Sequence, residues 1–243
     1  MTRVSKLSAA LILSGALASA GVAGESGAFV GVELGAGILT QTQAGSGTFS
    51  PDPSVSTEIS QQQGRANVGL DWGVRLGYQL YFTPTHGMRV YASYGMAHVY
   101  PSSLSAKDGS NTASENTYLT GQRIDLNIDY LVDFIKAENA SAGVYAGIFA
   151  GYSEISANSR AKQNNTAEST PTQFIGGVGL GLNLGIQTTL AKHHRIEFGA
   201  KIPFLGPVRE RTGVISDGIN MTDISTHTYF KYASVGASYS FVF

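Results

Sequence analysis

The chain alternates between apolar and small or polar residues with a period of two, the period of a β-strand and not of a helix. In Val68–Phe82 every even position is apolar or aromatic, while the odd positions are Gly, Asp, Arg, Gln and Tyr. The same pattern runs through Ala28–Leu39, Met88–Tyr100, Gln122–Ile135, Ala142–Tyr152, Gln173–Leu190, Ile196–Phe204 and Thr228–Phe243. An all-β fold of eight strands is expected. The connections fall into two populations. Turn-like links at 83–87, 136–141 and 191–195 alternate with long Ser/Thr/Asn/Gln-rich links at about 40–67, 101–121, 153–172 and 205–227. Short links on one side and long ones on the other describe an antiparallel up-and-down barrel of outer-membrane type, with periplasmic turns and extracellular loops.

Alternation alone does not say which face is inside, because a soluble barrel turns its apolar face inward. Glycine decides the matter. Gly31, Gly35, Gly37, Gly69, Gly73, Gly77, Gly95, Gly143, Gly147, Gly151, Gly177, Gly179, Gly181, Gly185, Gly199 and Gly236 all fall on the polar face. A water-exposed face has no need to be so small, whereas an eight-stranded barrel has an interior only wide enough for side chains. The apolar face therefore meets lipid, and Phe82, Tyr100, Tyr130, Phe134, Phe204, Tyr239, Phe241 and Phe243 sit near strand ends as interfacial girdles.

Composition agrees with this assignment. Charged residues are 14% and the formal net charge is -1, which gives no basic field, so no nucleic-acid partner is expected. The absence of Cys removes disulfides, thiol nucleophiles and Cys-ligated zinc. At the N-terminus, Arg3 and Lys6 precede an apolar stretch through Leu17 and then the small residues Ala18-Ser19-Ala20 and Val22-Ala23-Gly24. That is the layout of a cleaved signal peptide over residues 1–24, with an exported barrel domain at 25–243.

The last strand places Val235, Ala237, Tyr239, Phe241 and Phe243 on one face, with Phe243 terminal. With Glu197-Phe198-Gly199-Ala200-Lys201-Ile202-Pro203 and Tyr232–Tyr239, this ending resembles the C-terminal region of the Helicobacter-type outer-membrane protein family. Tyr130–Phe134 and Glu25–Val32 are looser echoes of internal and N-terminal segments of that family. The resemblance implies a small eight-stranded barrel in the bacterial outer membrane, bound by its lipid. Its relatives include adhesins and porins. Tyr239, Phe241 and Phe243 would form the signal read by the barrel assembly machinery. Larger adhesin relatives insert an extracellular domain after the first strand, and this chain has neither the Cys nor the length for one.

The interior face carries Glu33, Asp71, Arg75, Arg89, Arg123, Asp125, Asp129, Asp133, Glu197 and Lys201. Such groups must be paired or wet. Antiparallel strands bring Glu33 near Arg75 and Arg89 near Asp133, and these two pairs are expected. A polar plug holding the barrel shut is the main reading of the network, and a thin cation-preferring water path is the second.

Other signals are weaker. Gly177-Val178-Gly179-Leu180-Gly181 lies inside an alternating strand, not on a turn opening a helix as a phosphate loop would. His193-His194 lacks further ligands at useful spacing, so no metal and no cofactor are expected. His98 and His227 were weighed as bases of a membrane hydrolase. A same-face nucleophile would stand two residues away, and the residues following at that spacing are Tyr100 and Tyr229. No enzyme is therefore expected. The long links carry Thr48–Pro53 and Arg209-Glu210-Arg211, which could contact a host or cell-surface ligand. The expected role is a monomeric barrel displaying surface loops, adhesin-like or envelope-structural, with a small porin-like channel for ions or small solutes as the alternative.

Overall fold

The computed structural model describes residues 26–52, 55–108, 111–163, 166–169, 173–216 and 221–243, so the segment 1–24, expected to be a signal peptide, lies outside the described residues. The strands are β1 (Gly27–Asp52), β2 (Val55–Tyr81), β3 (His86–Asp108), β4 (Asn111–Ala137), β5 (Ala140–Gln163), β6 (Thr166–Ser169), β7 (Gln173–Leu190), β8 (His194–Leu205), β9 (Val208–Ser216) and β10 (Met221–Val242). Both β6 and β7 pair with β5, and both β8 and β9 pair with β10, so each couple forms a single stave. The β1–β10 ladder, from Phe29↔Val242 to Ser50↔Met221, closes a ring of eight antiparallel staves. Closure leaves no open edge in the hydrocarbon layer, where unpaired N–H and C=O groups cost several kcal/mol each.

The two faces are inverted relative to a soluble protein. Leu34, Leu76, Ile124, Leu126, Ile148, Val178 and Ile186 project outward and are exposed, whereas Gln79, Arg89, Asn127 and Asp129 are at most 1% exposed. Gly31 packs against Ser240 and Arg75, and Gly151 against Asp125, so the glycines make the room that the inward polar side chains fill.

At the end of the barrel with the short links, the Thr83 hydroxyl accepts from the His86 amide (2.9 Å) and closes the β2–β3 turn. Glu138-Asn139 join β4 to β5 beyond the Ala137↔Ala140 pair. Ala191 and Lys192 turn the chain between β7 and β8 with φ of 47° and 67°.

The long links depart from expectation. The described residues of 40–67 are not irregular but laddered, with β1 and β2 paired from Thr40↔Ala66 to Phe49↔Thr57. Ladders likewise run through the described residues of 101–121 (Ser102↔Thr117 to Asp108↔Asn111), 153–172 (β4–β5 and β5–β6) and 205–227 (β9–β10). Polar composition signalled solvent, not loss of pairing. Strand content is set by cross-strand partners more than by intrinsic preference, and a hairpin satisfies its own backbone groups.

The wall is least regular around Pro203 and Pro207, which offer no amide hydrogen. The β8–β10 ladder stops at Lys201↔Ser234, and β9 resumes at Val208↔Tyr229. Between them the Phe230 amide donates to the Pro207 carbonyl (2.9 Å).

Candidate functional site: the barrel lumen

Inward residues of all eight staves meet in stacked layers. Nearest the short turns, Asp133 accepts from the Tyr81 hydroxyl (3.0 Å), the Ser141 hydroxyl (3.1 Å) and Gln187 Nε2 (2.7 Å). Arg195 Nη2 donates to the Tyr81 oxygen (3.0 Å). In the next layer Glu197 is shared by two guanidiniums, Arg75 at 2.6 Å and Arg89. Arg89 also holds Asp129 (2.7 Å), while Arg75 Nη2 donates to the Ser240 hydroxyl (2.7 Å). Above it, Lys201 Nζ donates to Ser93 (2.8 Å), Asp125 (3.0 Å) and Asn127 (3.0 Å). Asn183 donates to Asn127 and Asp129 at 3.0 and 2.9 Å. The outermost charged layer joins Arg123 to Asp71 (3.4 Å) and Ser234 (2.8 Å), with the Tyr232 hydroxyl donating to Asp71. Arg123 lies over the Tyr232 ring at 4.4 Å, a cation–π contact.

These contacts cross the barrel. Staves β3 and β8 stand four places apart whichever way the ring is followed, so Arg89–Glu197 and Ser93–Lys201 span a full diameter. Outward of the charged layers, Leu39, Ala97, Val99, Ile155, Phe230 and Tyr232 form an apolar cluster, joined by Leu119 and Ile175. Glu33, Asp71, Arg75, Lys201 and Ser234 border a cavity of about 40 Å³. That is room for about three water molecules, at about 10–15 Å³ each.

Each interior residue of the sequence analysis has a definite place in this arrangement. Glu33 reaches Arg75 only at 3.8 Å, the outer limit of an ion pair, because Arg75 turns toward Glu197. The expected Arg89–Asp133 pair does not form. In the β3–β4 register Arg89 lies opposite Asp129, and Asp133 falls beyond the last pair, His86↔Val132. Asp133 is neutralised instead by neutral donors and by Arg195 acting through Tyr81. Arg195 itself was assigned to a turn, yet it is 2% exposed and raises the interior cations to five (Arg75, Arg89, Arg123, Arg195 and Lys201) against six carboxylates. Its signal was parity, since it stands two residues before Glu197. Asn127, Asn183 and Gln187 share the parity of Asp129, Gly181 and Gly185, and were legible in the same way.

Outside the lumen, Tyr239 and Phe243 are exposed on the lipid-facing side of β10. His194 stacks on Tyr239, with its Nδ1 2.8 Å from the hydroxyl, and His193 stacks on Phe241. Among the described residues no three His, Cys, Asp or Glu side chains are grouped to hold a metal ion. The residue two places before His227 is Ser225, and its hydroxyl lies 3.4 Å from His227 Nε2.

A closed antiparallel barrel, apolar outside and ionic within, is the design of an integral outer-membrane protein. The chain belongs to the Helicobacter outer membrane protein family, whose model matches residues 73–243, and its location is the bacterial outer membrane. No curated protein matches the sequence. Among solved structures, it is similar to the outer membrane protein OprG from Pseudomonas aeruginosa, at 14% identity over 92% of this chain and 100% of that one, with a TM-score of 0.45. It is also similar to Neisserial surface protein A, at 13% identity over 85% and 97%, TM-score 0.27. The attachment invasion locus protein of Yersinia pestis aligns at 13% identity over 85% and 99%, TM-score 0.27. Likenesses at this level carry no functional argument.

Proposed function

We propose that the protein is a plugged outer-membrane scaffold that presents its extended hairpins at the cell surface, in an adhesin-like or envelope-structural role. The observation that carries this reading is the set of ionic contacts spanning the lumen, Arg89–Glu197 above all, capped by an apolar cluster. A conducting pore needs a continuous wet path. Here the diameter is crossed by bonded side chains, and the bordering cavity holds only a few waters. The wall extends beyond the apolar belt as paired hairpins, which are stiff platforms for recognition.

Two measurements test it. Full-length mature barrel, verified as folded by its heat-sensitive gel mobility, should give no reproducible current steps in a planar bilayer. Replacing residues 45–61 by Asn-Gly, between the paired Ala44 and Gln62, should preserve the folded mobility while abolishing adherence of expressing cells. Steady conductance that responds to substitution of Lys201 or Arg123 would favour the small channel instead. Adherence unchanged by every hairpin truncation would end the display reading.

A further inference from the structure

Ser225, His227 and Glu210 lie together on the outer face of the barrel, at its extracellular rim. On β10 the inward positions are the buried Phe230 and Tyr232, and the opposite parity carries the exposed Tyr229 and the half-buried His227 and Ser225. The β9–β10 register sets Glu210 directly opposite His227 and exposed Val208 opposite Tyr229. The Ser225 hydroxyl is 3.4 Å from His227 Nε2, and His227 Nδ1 is 3.2 Å from Glu210 Oε1. One imidazole nitrogen thus faces a hydroxyl and the other a carboxylate, the connectivity by which a histidine is oriented to deprotonate a serine. Two elementary features of a sheet build it. Residues i and i+2 share a face, and directly paired residues have Cβ atoms about 4.5–5.5 Å apart.

The height of the cluster identifies what it meets. Tyr229 and Tyr239 mark the two ends of the lipid-facing run of β10 and are ten residues apart. At about 3.3 Å per residue and a tilt near 40°, this is a rise of about 25 Å, the height of the apolar band of such barrels. His227 stands two residues further out, about 5 Å above the girdle by the same measure, where acyl chains join headgroups. Lys231 is exposed on the same face below Tyr229 and can extend its ammonium toward lipid phosphate.

We propose that Ser225, His227 and Glu210 form a serine esterase site acting on ester-linked acyl chains of lipids in the outer leaflet. Glu210 accepts a hydrogen bond from His227 Nδ1–H and fixes the imidazole. His227 Nε2 takes the Ser225 proton as Oγ attacks the acyl carbonyl carbon. The tetrahedral oxyanion collapses, the ester C–O bond breaks, and the leaving alkoxide takes the proton from His227. Water, deprotonated by the same nitrogen, then attacks the acyl-serine and releases the fatty acid, regenerating Ser225. Thr212 and Ser46 flank Ser225 on the two neighbouring strands, in register with it, and their hydroxyls are the donors placed for the oxyanion.

The test uses the full mature chain folded into vesicles. One set is made of diacyl phosphatidylethanolamine and a second contains the acylated glycolipid of a Gram-negative outer leaflet. Free fatty acid is expected from at least one set, which also tells the two ester sources apart, and a fluorophosphonate is expected to label Ser225, read by peptide mass spectrometry. S225A should abolish both signals and H227Q should lower release by about 100-fold or more, the scale of general-base catalysis. E210Q should lower kcat and leave KM unchanged, and H98Q, on the outer face of a distant strand, should change neither. A folded barrel that releases no fatty acid from either vesicle and leaves Ser225 unlabelled overturns the proposal, as does release that persists in S225A.

Discussion

Glu197 neutralises two buried guanidiniums, and its replacement by Gln measures how dry the lumen is. In E197Q, Arg89 keeps Asp129, but Arg75 keeps as polar partners Glu33 at 3.8 Å and the Ser240 hydroxyl, beside the Phe29 and Tyr91 rings at 5.9 Å. Arg75 is 3% exposed, so the water within its reach is the little that the small cavity it borders can take. Breaking a buried ion pair by removing one partner costs about 3–5 kcal/mol, chiefly because a charge is left uncompensated. With a denaturant slope of about 2 kcal/mol per molar, a loss near 4 kcal/mol moves the urea midpoint down by about 2 M. The single tryptophan, Trp72, faces lipid and is 39% exposed, so its fluorescence reports departure from the bilayer during equilibrium unfolding in vesicles. Adding R75M to E197Q removes the stranded cation and should recover part of the loss, a coupling of about 1–3 kcal/mol. A midpoint shift below about 0.5 M in E197Q would show that water solvates Arg75, and the plugged lumen would be refuted with it.

Further outcomes follow from the same packing. A β-carbon on Gly199 would overlap the Tyr145 hydroxyl, whose ring lies 4.5 Å from the Arg89 guanidinium, so G199A should cost about 1–3 kcal/mol by urea unfolding. R195M removes the charged donor to Tyr81 beside Asp133, and a loss of about 1.5–3 kcal/mol is expected in the same assay. F243A retains the Phe243 amide bond to the Ala28 carbonyl (2.9 Å), so refolding in vitro should be little changed. If the terminal aromatics are read during assembly, the heat-modifiable fraction recovered from cells should fall several-fold in that variant. K201M takes the ammonium from Asp125, which keeps Arg123 at 3.5 Å, and from Asn127, which keeps Asn183 at 3.0 Å, so it should destabilise the barrel without opening a measurable conductance, because the layers on either side remain bonded.

The cluster at the outer rim and the network in the lumen were legible to different degrees. Asp125, Asp129 and Glu197 announced themselves by charge on a glycine-rich face. Arg195 did not, because a Lys-His-His-Arg run looks like a solvated turn until the strand is known to begin at His194. Ser225 was legible as the same-face residue two places before His227, but its carboxylate partner, Glu210, comes from a strand hidden within a polar link. The Arg89–Asp133 pair failed by two inward steps of register: Asp129, four residues earlier and the preceding inward carboxylate on β4, is the residue opposite Arg89.

Sequence by itself determined the strand count, the direction each face points, the positions of the short turns and the outer-membrane setting. All of these are local, because alternation is a property of the pleated backbone and turn chemistry one of a few consecutive residues. Only the closed ring decided which charges meet. Arg89 and Glu197 are 108 residues apart in the chain and share a bond solely because β3 and β8 stand opposite each other in a ring of eight. Register and closure are collective quantities, set by the sum of all ladders and the packing of every inward side chain, and no single strand encodes them.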